Sequence, residues 1–377
     1  MRVIFVIRSL TCGGAERQLV NAAVGLANRG HDISVAVFYS EGSPLERELT
    51  TAGVTIESLG KRNRWDLIGP FRRMRAILRR QPRAVVYSFL PTANLFSAAV
   101  ACSLKHRALV WGIRVAGMEI ASDDPLARCL IRLEHLLIWV PQLVITNSDA
   151  SRERIQKLRP GAKRVLLIRN GIDTIAFTFT EQGRKEIRAQ LGVGESDVLV
   201  GAVGRIVSQK NLSLLFKAAS LAHHGGSRPF RVVVAGDGEP GLIAELLREA
   251  ARLGVAERVK FIGQRTDLPR VYSALDVLCL CSDYEGTSNV LLESLSCGTT
   301  CVATDVGDSA KVIGDGRLIA APGDAVGLAA CLHHALGIGG PGSRVSNRAR
   351  ATSLFSLVEM IQVTEQALIE VKFACAH

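Results

Sequence analysis

The chain has 377 residues, 48% hydrophobic and 21% charged, with a formal net charge of +11. Such a length suits two ordinary domains, each able to bury a core, and such a composition excludes a disordered or low-complexity chain. The charge is uneven, with 26 Lys/Arg against 14 Asp/Glu in residues 1–175 and 20 against 21 thereafter, which points to an anionic partner for the first half.

Taken in chain order, the first predicted strand (2–7) runs into Thr11-Cys12-Gly13-Gly14-Ala15-Glu16-Arg17, which opens a helix over 15–28. Two glycines there let a backbone approach a ligand, and a helix N-terminus offers N–H donors; a tight strand-to-helix turn explains them equally well. Further strands are predicted at 32–38, 54–58, 84–88, 108–113, 143–147 and 164–168, with helices including 66–80 and 127–139. The strands are Val/Ile-rich runs without alternation, as expected of parallel strands covered on both faces. The helix over 66–80 sets Phe71, Met74, Ile77 and Leu78 at near-helical spacing among five arginines. It fits an interfacial helix on an anionic leaflet, or a helix packing its apolar stripe on its own sheet. A turn at Arg169-Asn170-Gly171-Ile172-Asp173 and a polar stretch to about residue 196 mark the interdomain boundary.

The second half restarts the pattern, with strands predicted at 198–203, 231–235, 259–262, 277–281, 300–303 and 317–319 and a last helix over 346–372. Its first strand leads into Gly204-Arg205-Ile206-Val207-Ser208-Gln209-Lys210-Asn211. Arg205 and Lys210 sit where an α/β ligand binds, and such a pair suits a diphosphate, Arg as a planar fork and Lys as a point charge. Two surface cations are the bland alternative.

Asp283-Tyr284-Glu285-Gly286-Thr287-Ser288-Asn289-Val290-Leu291-Leu292-Glu293 carries the strongest signal. It follows an apolar strand, enters a helix and spaces Glu285 and Glu293 as E-x7-E. Thr287 or Ser288 can cap the helix, whose first-turn N–H groups suit a phosphate, while the carboxylates suit sugar hydroxyls. Glu293, among apolar neighbours, needs a partner, a core-edge arginine being the simplest. Gly236-Asp237-Gly238-Glu239-Pro240-Gly241 matches G-x-G-x-x-G and invites a nicotinamide reading. It opens the second strand–helix unit of its domain rather than the first, which argues against that reading.

The nine cysteines show no C-x2-C pair or zinc spacing and are expected to be buried reduced thiols; the pairs His223-His224 and His333-His334 cannot share a helix face. No metal or cofactor is expected. No aromatic platform supports nucleic acid, and an anionic membrane or phosphorylated lipid suits the basic half better. The apolar run 3–7 is shorter than a secretory h-region of roughly 7–15 residues. The stretch 126–144 is broken by Arg128, Arg132, Glu134 and His135, short of the roughly 20 apolar residues of a span. A cytoplasmic protein is expected, with peripheral contact on the inner membrane face as an option.

With these residues in hand, the chain resembles the retaining glycosyltransferases of family 4 with the GT-B fold, most closely those that build bacterial surface polysaccharides. The ordered set of matches is Gly-Gly-Ala-Glu, Asn170-Gly171-Ile172-Asp173, Gly204-Arg205 through Lys210-Asn211, Gly236-Asp237-Gly238, Phe261-Ile262-Gly263 and the E-x7-E segment. The resemblance implies an α/β chain of two Rossmann-like doubly wound domains facing across a cleft: 1–172 for the acceptor, 173–352 for the nucleotide sugar, and a terminal helix, 353–377, that can return to the first domain. It implies that Arg205, Lys210 and Glu285 are catalytic. Gly13, Gly14, Gly204, Phe261, Ile262, Arg265, Gly286, Thr287, Ser288, Asn289, Val290 and Glu293 would bind the donor, a UDP-sugar ahead of a GDP-sugar. Glu16 and Arg114 would border the acceptor, a glycan or polyprenyl-diphosphate-linked sugar. Many members carry a first-domain His where this chain reads Trp111-Gly112-Ile113-Arg114. A nucleotide-sugar epimerase, a nicotinamide oxidoreductase and a non-catalytic nucleotide-sugar-binding protein remain the alternatives.

Overall fold

Apolar runs covered on both faces must satisfy their backbone N–H and C=O groups laterally, and here they do so in two all-parallel sheets. The computed structural model describes residues 1–11, 13–63, 65–114, 125–158, 164–224 and 230–375. The chain divides into two units, Met1–Gly171 with Leu357–His377, and Ile172–Ser356.

In the first unit the strands are β1 (Arg2–Ile7), β2 (Asp32–Val37), β3 (Thr55–Ser58), β4 (Val85–Phe89), β5 (Leu109–Ile113), β6 (Leu143–Thr146) and β7 (Val165–Leu167). Their order is β3-β2-β1-β4-β5-β6-β7. Two apolar layers cover the sheet. One holds Phe5, Ile7, Leu19, Tyr87 and Phe89; the other holds Ile4, Val6, Met74, Leu78 and Trp111. The terminal helix Leu357–Ala374 packs on the helix Gly14–Asn28, where Gly25 leaves room for the Ile361 side chain. Glu365 of that helix takes Arg29 Nε at 2.7 Å and His31 Nε2 at 2.5 Å.

In the second unit β8 (Leu199–Val203), β9 (Arg231–Ala235), β10 (Val259–Phe261), β11 (Val277–Leu280), β12 (Thr300–Thr304) and β13 (Ile319–Ala320) take the order β10-β9-β8-β11-β12-β13. In each sheet the chain winds outward in one direction and then in the other. The reversal lies between β1 and β4 in the first unit and between β8 and β11 in the second. Ligands of doubly wound sheets bind beyond the carboxyl ends of the strands at that reversal.

Two expectations on elements change. The single helix over 346–372 is two helices, Pro341–Leu354 and Leu357–Ala374. The break occurs because Phe355 leaves helical geometry to accept the Ile172 N–H at 2.9 Å, and Ser356 bridges to Ile172. The strand over 317–319 is mostly a one-turn helix, Gly316–Leu318, capped by Asp315, with β13 beginning at Ile319. The expectation of buried thiols holds in part: Cys102 and Cys129 are exposed and Cys375 is half-buried. Cys279, Cys281, Cys297, Cys301 and Cys331 are buried, and burial pushes Cys297 and Cys301 up to about 12.

Candidate active site

The segments leaving β8 and β11 flank the reversal of the second sheet, and their side chains meet. Lys210 ends a one-turn helix, Ser208–Lys210, and Asn211 follows in the left-handed region at φ 43°. That turn aims the Lys210 ammonium at Glu285, whose Oε1 it reaches at 2.5 Å. Ser282 donates its hydroxyl to the same oxygen at 2.9 Å. Three more bonds stitch the two segments together. Gln209 Nε2 donates to the Tyr284 carbonyl at 2.7 Å, the Asp283 N–H donates to the Gln209 carbonyl at 2.9 Å, and Asn211 Nδ2 donates to Asp283 at 2.8 Å. Arg205, five residues before Lys210, is exposed and has no hydrogen-bond or ion-pair partner among the described residues. A paired lysine, a carboxylate and an uncommitted guanidinium therefore share one strand edge.

The loop after β12 supports this arrangement from beneath. Gly307, at φ 56°, lies so close that any Cβ would overlap the Gly286 carbonyl, and the Asp308 N–H donates to that carbonyl at 3.0 Å. The helix Asn289–Ser296 then begins with Ser288 at its N-cap, backbone extended. Ser288 is one of the two residues expected there, although its side chain makes no capping hydrogen bond. Val290, on the first turn, lies next to Gly204, within 3.9 Å of where a Cβ would stand.

Glu293, also on this helix, is only 9% exposed. One partner is a tyrosine: Tyr272, fully buried, donates its hydroxyl to Glu293 Oε2 at 2.6 Å. Burial, together with the neighbouring carboxylate, raises the Tyr272 hydroxyl well above the usual phenol range and keeps it a donor. Tyr272 is fixed in turn by Thr299, which donates to its carbonyl at 2.8 Å, while Arg184 and Arg188 bond the last carbonyls of its helix, Leu268–Ala274. Sequence reasoning missed Tyr272. The signal was there in principle, because a buried tyrosine needs an acceptor just as a buried carboxylate needs a donor.

The G-x-G-x-x-G run has a structural explanation. A Cβ on Gly236 would overlap the Gly204 carbonyl, and one on Gly238 would overlap that of Ile206. The Ile206 N–H bonds the Asp237 carbonyl at 2.7 Å, and the Gly236 N–H bonds the Gly263 carbonyl at 2.9 Å. These glycines let three strand-end segments run past one another. Phe261 meets Phe216 edge-on at 6.4 Å and packs with Ile262 against the core. Arg265 forms a two-point pair with Asp267 at 2.8 and 2.7 Å.

In the first unit, Gly13 is the extended N-cap of Gly14–Asn28, with the Glu16 carboxylate folded over it; Cys12 lies outside the described residues. Gln18 of that helix clamps the Asn170-Gly171 turn, donating to the Gly171 carbonyl at 2.9 Å and accepting its N–H at 3.1 Å. Arg114 donates to the Tyr87 hydroxyl at 2.8 Å and lies 4.4 Å over the Phe89 ring. Among the described residues, no three His, Cys, Asp or Glu side chains are grouped to hold a metal ion.

Comparison with known proteins bears on the family and the fold. Residues 12–175 match the model described as Glycosyltransferase Family 4, and residues 197–337 match that described as Glycosyl transferases group 1. The chain is 28% identical over 302 residues to the GalNAc-α-(1→4)-GalNAc-α-(1→3)-diNAcBac-PP-undecaprenol α-1,4-N-acetyl-D-galactosaminyltransferase of Campylobacter jejuni, covering 78% of this chain and 77% of that enzyme. Among solved structures, Anabaena HepE in complex with UDP-glucose aligns with a TM-score of 0.83 and 22% identity, over 98% of this chain and 100% of that one. A glycosyltransferase from Rickettsia africae aligns at 0.81 and 17% identity, over 98% of each chain. At these identities the structural likeness carries the fold.

Proposed function

We propose, starting from a chain that belongs to the family 4 glycosyltransferases and has their GT-B fold, that it moves a hexose-type sugar from a UDP-sugar to a glycan or polyprenyl-diphosphate-linked acceptor, with retention at the anomeric carbon. The observation that carries this reading is the grouping of Arg205, Lys210 and Glu285 at the strand reversal of the second sheet, beside the N-terminus of Asn289–Ser296. A diphosphate set there would meet the Arg205 fork, the Lys210 ammonium and first-turn N–H groups. These stabilise negative charge as it builds on the departing phosphate. Glu285 would hold donor-sugar hydroxyls, and Glu293, steadied by Tyr272, the ribose.

The bond from the anomeric carbon to the diphosphate oxygen breaks, and the bond to the acceptor oxygen forms on the same face. The acceptor proton passes to the departing phosphate, so no protein nucleophile is required. Arg205 and Lys210 supply positive charge, and transfer is expected to survive EDTA; loss of activity restored by Mg2+ would refute that part. The resemblance adds Gly13 and Gly14 as donor contacts and Glu16 and Arg114 as residues bordering the acceptor. A lipid-linked acceptor, in keeping with the one named for the Campylobacter relative, would place the work at the inner membrane face.

The test is a thermal-shift panel of UDP, GDP, NAD and their sugar conjugates on wild type and Lys210→Ala. A ligand at about 100 times its Kd stabilises by roughly 2.7 kcal/mol. A UDP shift that disappears in the variant is expected. A shift with NAD alone would overturn the reading, against the packing role of Gly236 and Gly238.

A further inference from the structure

The helix Ile68–Arg80 does not present the apolar face expected of an interfacial helix. Met74 and Leu78 are buried against the sheet, with Phe71 and Ile77 packed beside them. The opposite face carries Ile68, Arg72, Arg75 and Arg79, which recur at i, i+4, i+7 and i+11 and so lie in one row. Arg72, Arg75, Ala76, Arg79 and Arg80 line an open groove of about 460 Å³. The helix has no acidic residue, and none of these four arginines has a hydrogen-bond or ion-pair partner among the described residues. Arg73, off the row, is spent on the Leu59 and Gly60 carbonyls.

At the start of the row stands an apolar knob. Trp65 is 82% exposed, Ile68 71% and Leu67 59%. The turn that holds them out is built: Asn63 Oδ1 accepts the N–H groups of Trp65 at 2.9 Å and Asp66 at 3.1 Å, Asp66 accepts the Arg62 N–H at 3.0 Å, and Lys61 Nζ bonds the Asp66 carbonyl at 2.8 Å. Three adjacent large apolar side chains held in water beside a row of unpaired arginines match the two layers of an anionic leaflet, phosphates outside and acyl chains within. Tryptophan suits that boundary because its ring is apolar and its N–H polar.

We infer that this row and knob form a docking surface for an anionic bilayer, with phosphates against Arg72, Arg75, Arg79 and Arg80 and with Trp65, Leu67 and Ile68 inserted. Among the described residues no helix is long and apolar enough to cross a membrane. The inference deepens the lipid-linked reading of the acceptor but does not need the donor site to be right.

The probe is vesicle co-sedimentation without substrate, using phosphatidylcholine alone and with about one third phosphatidylglycerol. Wild type should partition onto the anionic vesicles. The variant R72Q/R75Q/R79Q/R80Q should lose about fivefold per arginine, more than a hundredfold in all. Trp65→Ser with Ile68→Ser should lose about tenfold or more. Brominated acyl chains should quench wild type and Trp139→Phe but not Trp65→Phe. Unfolding temperature and the UDP shift should stay unchanged in all variants, so a failed donor site and a failed docking surface give different results. Equal partition of wild type and the arginine variant overturns the inference. So does quenching that survives Trp65→Phe and disappears in Trp139→Phe, which would move the contact to the region after the helix Pro125–Leu136. Absence of vesicle binding, with capture of an acidic protein instead, also overturns it.

Discussion

The two sheets share a winding pattern, yet their reversal points are built differently. In the second unit, side chains after β8 and β11 bond each other: Lys210 to Glu285, Gln209 to the Tyr284 carbonyl, Asn211 to Asp283. In the first unit, the corresponding edge holds Leu90 at φ 73° and ψ 156°, a rare left-handed setting for a non-glycine residue. Proline 91 contributes to its extended ψ. The nearby cation, Arg114, is tied to aromatic rings rather than to a carboxylate. One edge is a charged cradle assembled from two loops; the other is an aromatic and backbone framework. Under the function proposed above, the charged edge would hold the donor diphosphate and the aromatic edge would border the acceptor.

The sharpest break of this comparison is Lys210→Ala. It should lower kcat/KM about 10²–10³-fold with little change in unfolding temperature, because Ser282 still donates to Glu285. A fall of less than about threefold would mean that the cradle is only a surface ion pair. Gly236→Ala comes next: its Cβ would strike the Gly204 carbonyl, a backbone atom, and urea unfolding should show a loss of about 1–3 kcal/mol. Gly13→Ala should cost well under that, since only the flexible Glu16 carboxylate must move.

Tyr272→Phe should raise the donor KM about tenfold, the usual worth of a hydrogen bond to a charged group, and leave kcat nearly unchanged. The same loss in Glu293→Gln, without addition in the double variant, would show that the two act as one. Additive losses would separate them. The smallest effect is expected at Glu365→Gln, which tests the seam between the terminal helix and the first unit. The His31 bond, with help from Arg29, holds the Glu365 carboxyl below its ordinary value of 4.5. A depressed carboxyl contributes stability that is present above the unfolded value and lost as pH falls through the folded one. Melting at pH 7 should therefore drop by about 1–2 °C, and the drop should shrink as pH falls below the ordinary carboxyl value of 4.5 and through the lowered one.

Much of this was legible in advance. The strands were readable because a doubly covered parallel strand is a short uninterrupted apolar run. The placing of Lys210 and Glu285 at strand ends was readable because each follows an apolar strand directly, while their contact with each other was not. The G-x-G-x-x-G run was set aside as a dinucleotide site because of its place in the domain, but its packing role was not legible: glycine serves close approach to a ligand and close approach to another backbone, and a linear pattern does not separate them. The helix break at Phe355 was hidden because its cause, the Ile172 N–H, is far away in sequence.

By itself the sequence determined two α/β units, their strand order in time, and which loops carry charge, since periodicity and residue type are local properties. Only the tertiary structure decided partnership: that Glu293 faces Tyr272, that Gly236 faces a carbonyl, and that Arg72, Arg79 and Arg80 of Ile68–Arg80 stay exposed while Met74 and Leu78 face the sheet. Partnership depends on which distant segments the winding of the sheets brings together. Neighbouring residues do not carry that information, because a buried polar group accepts any complementary partner that the fold sets beside it.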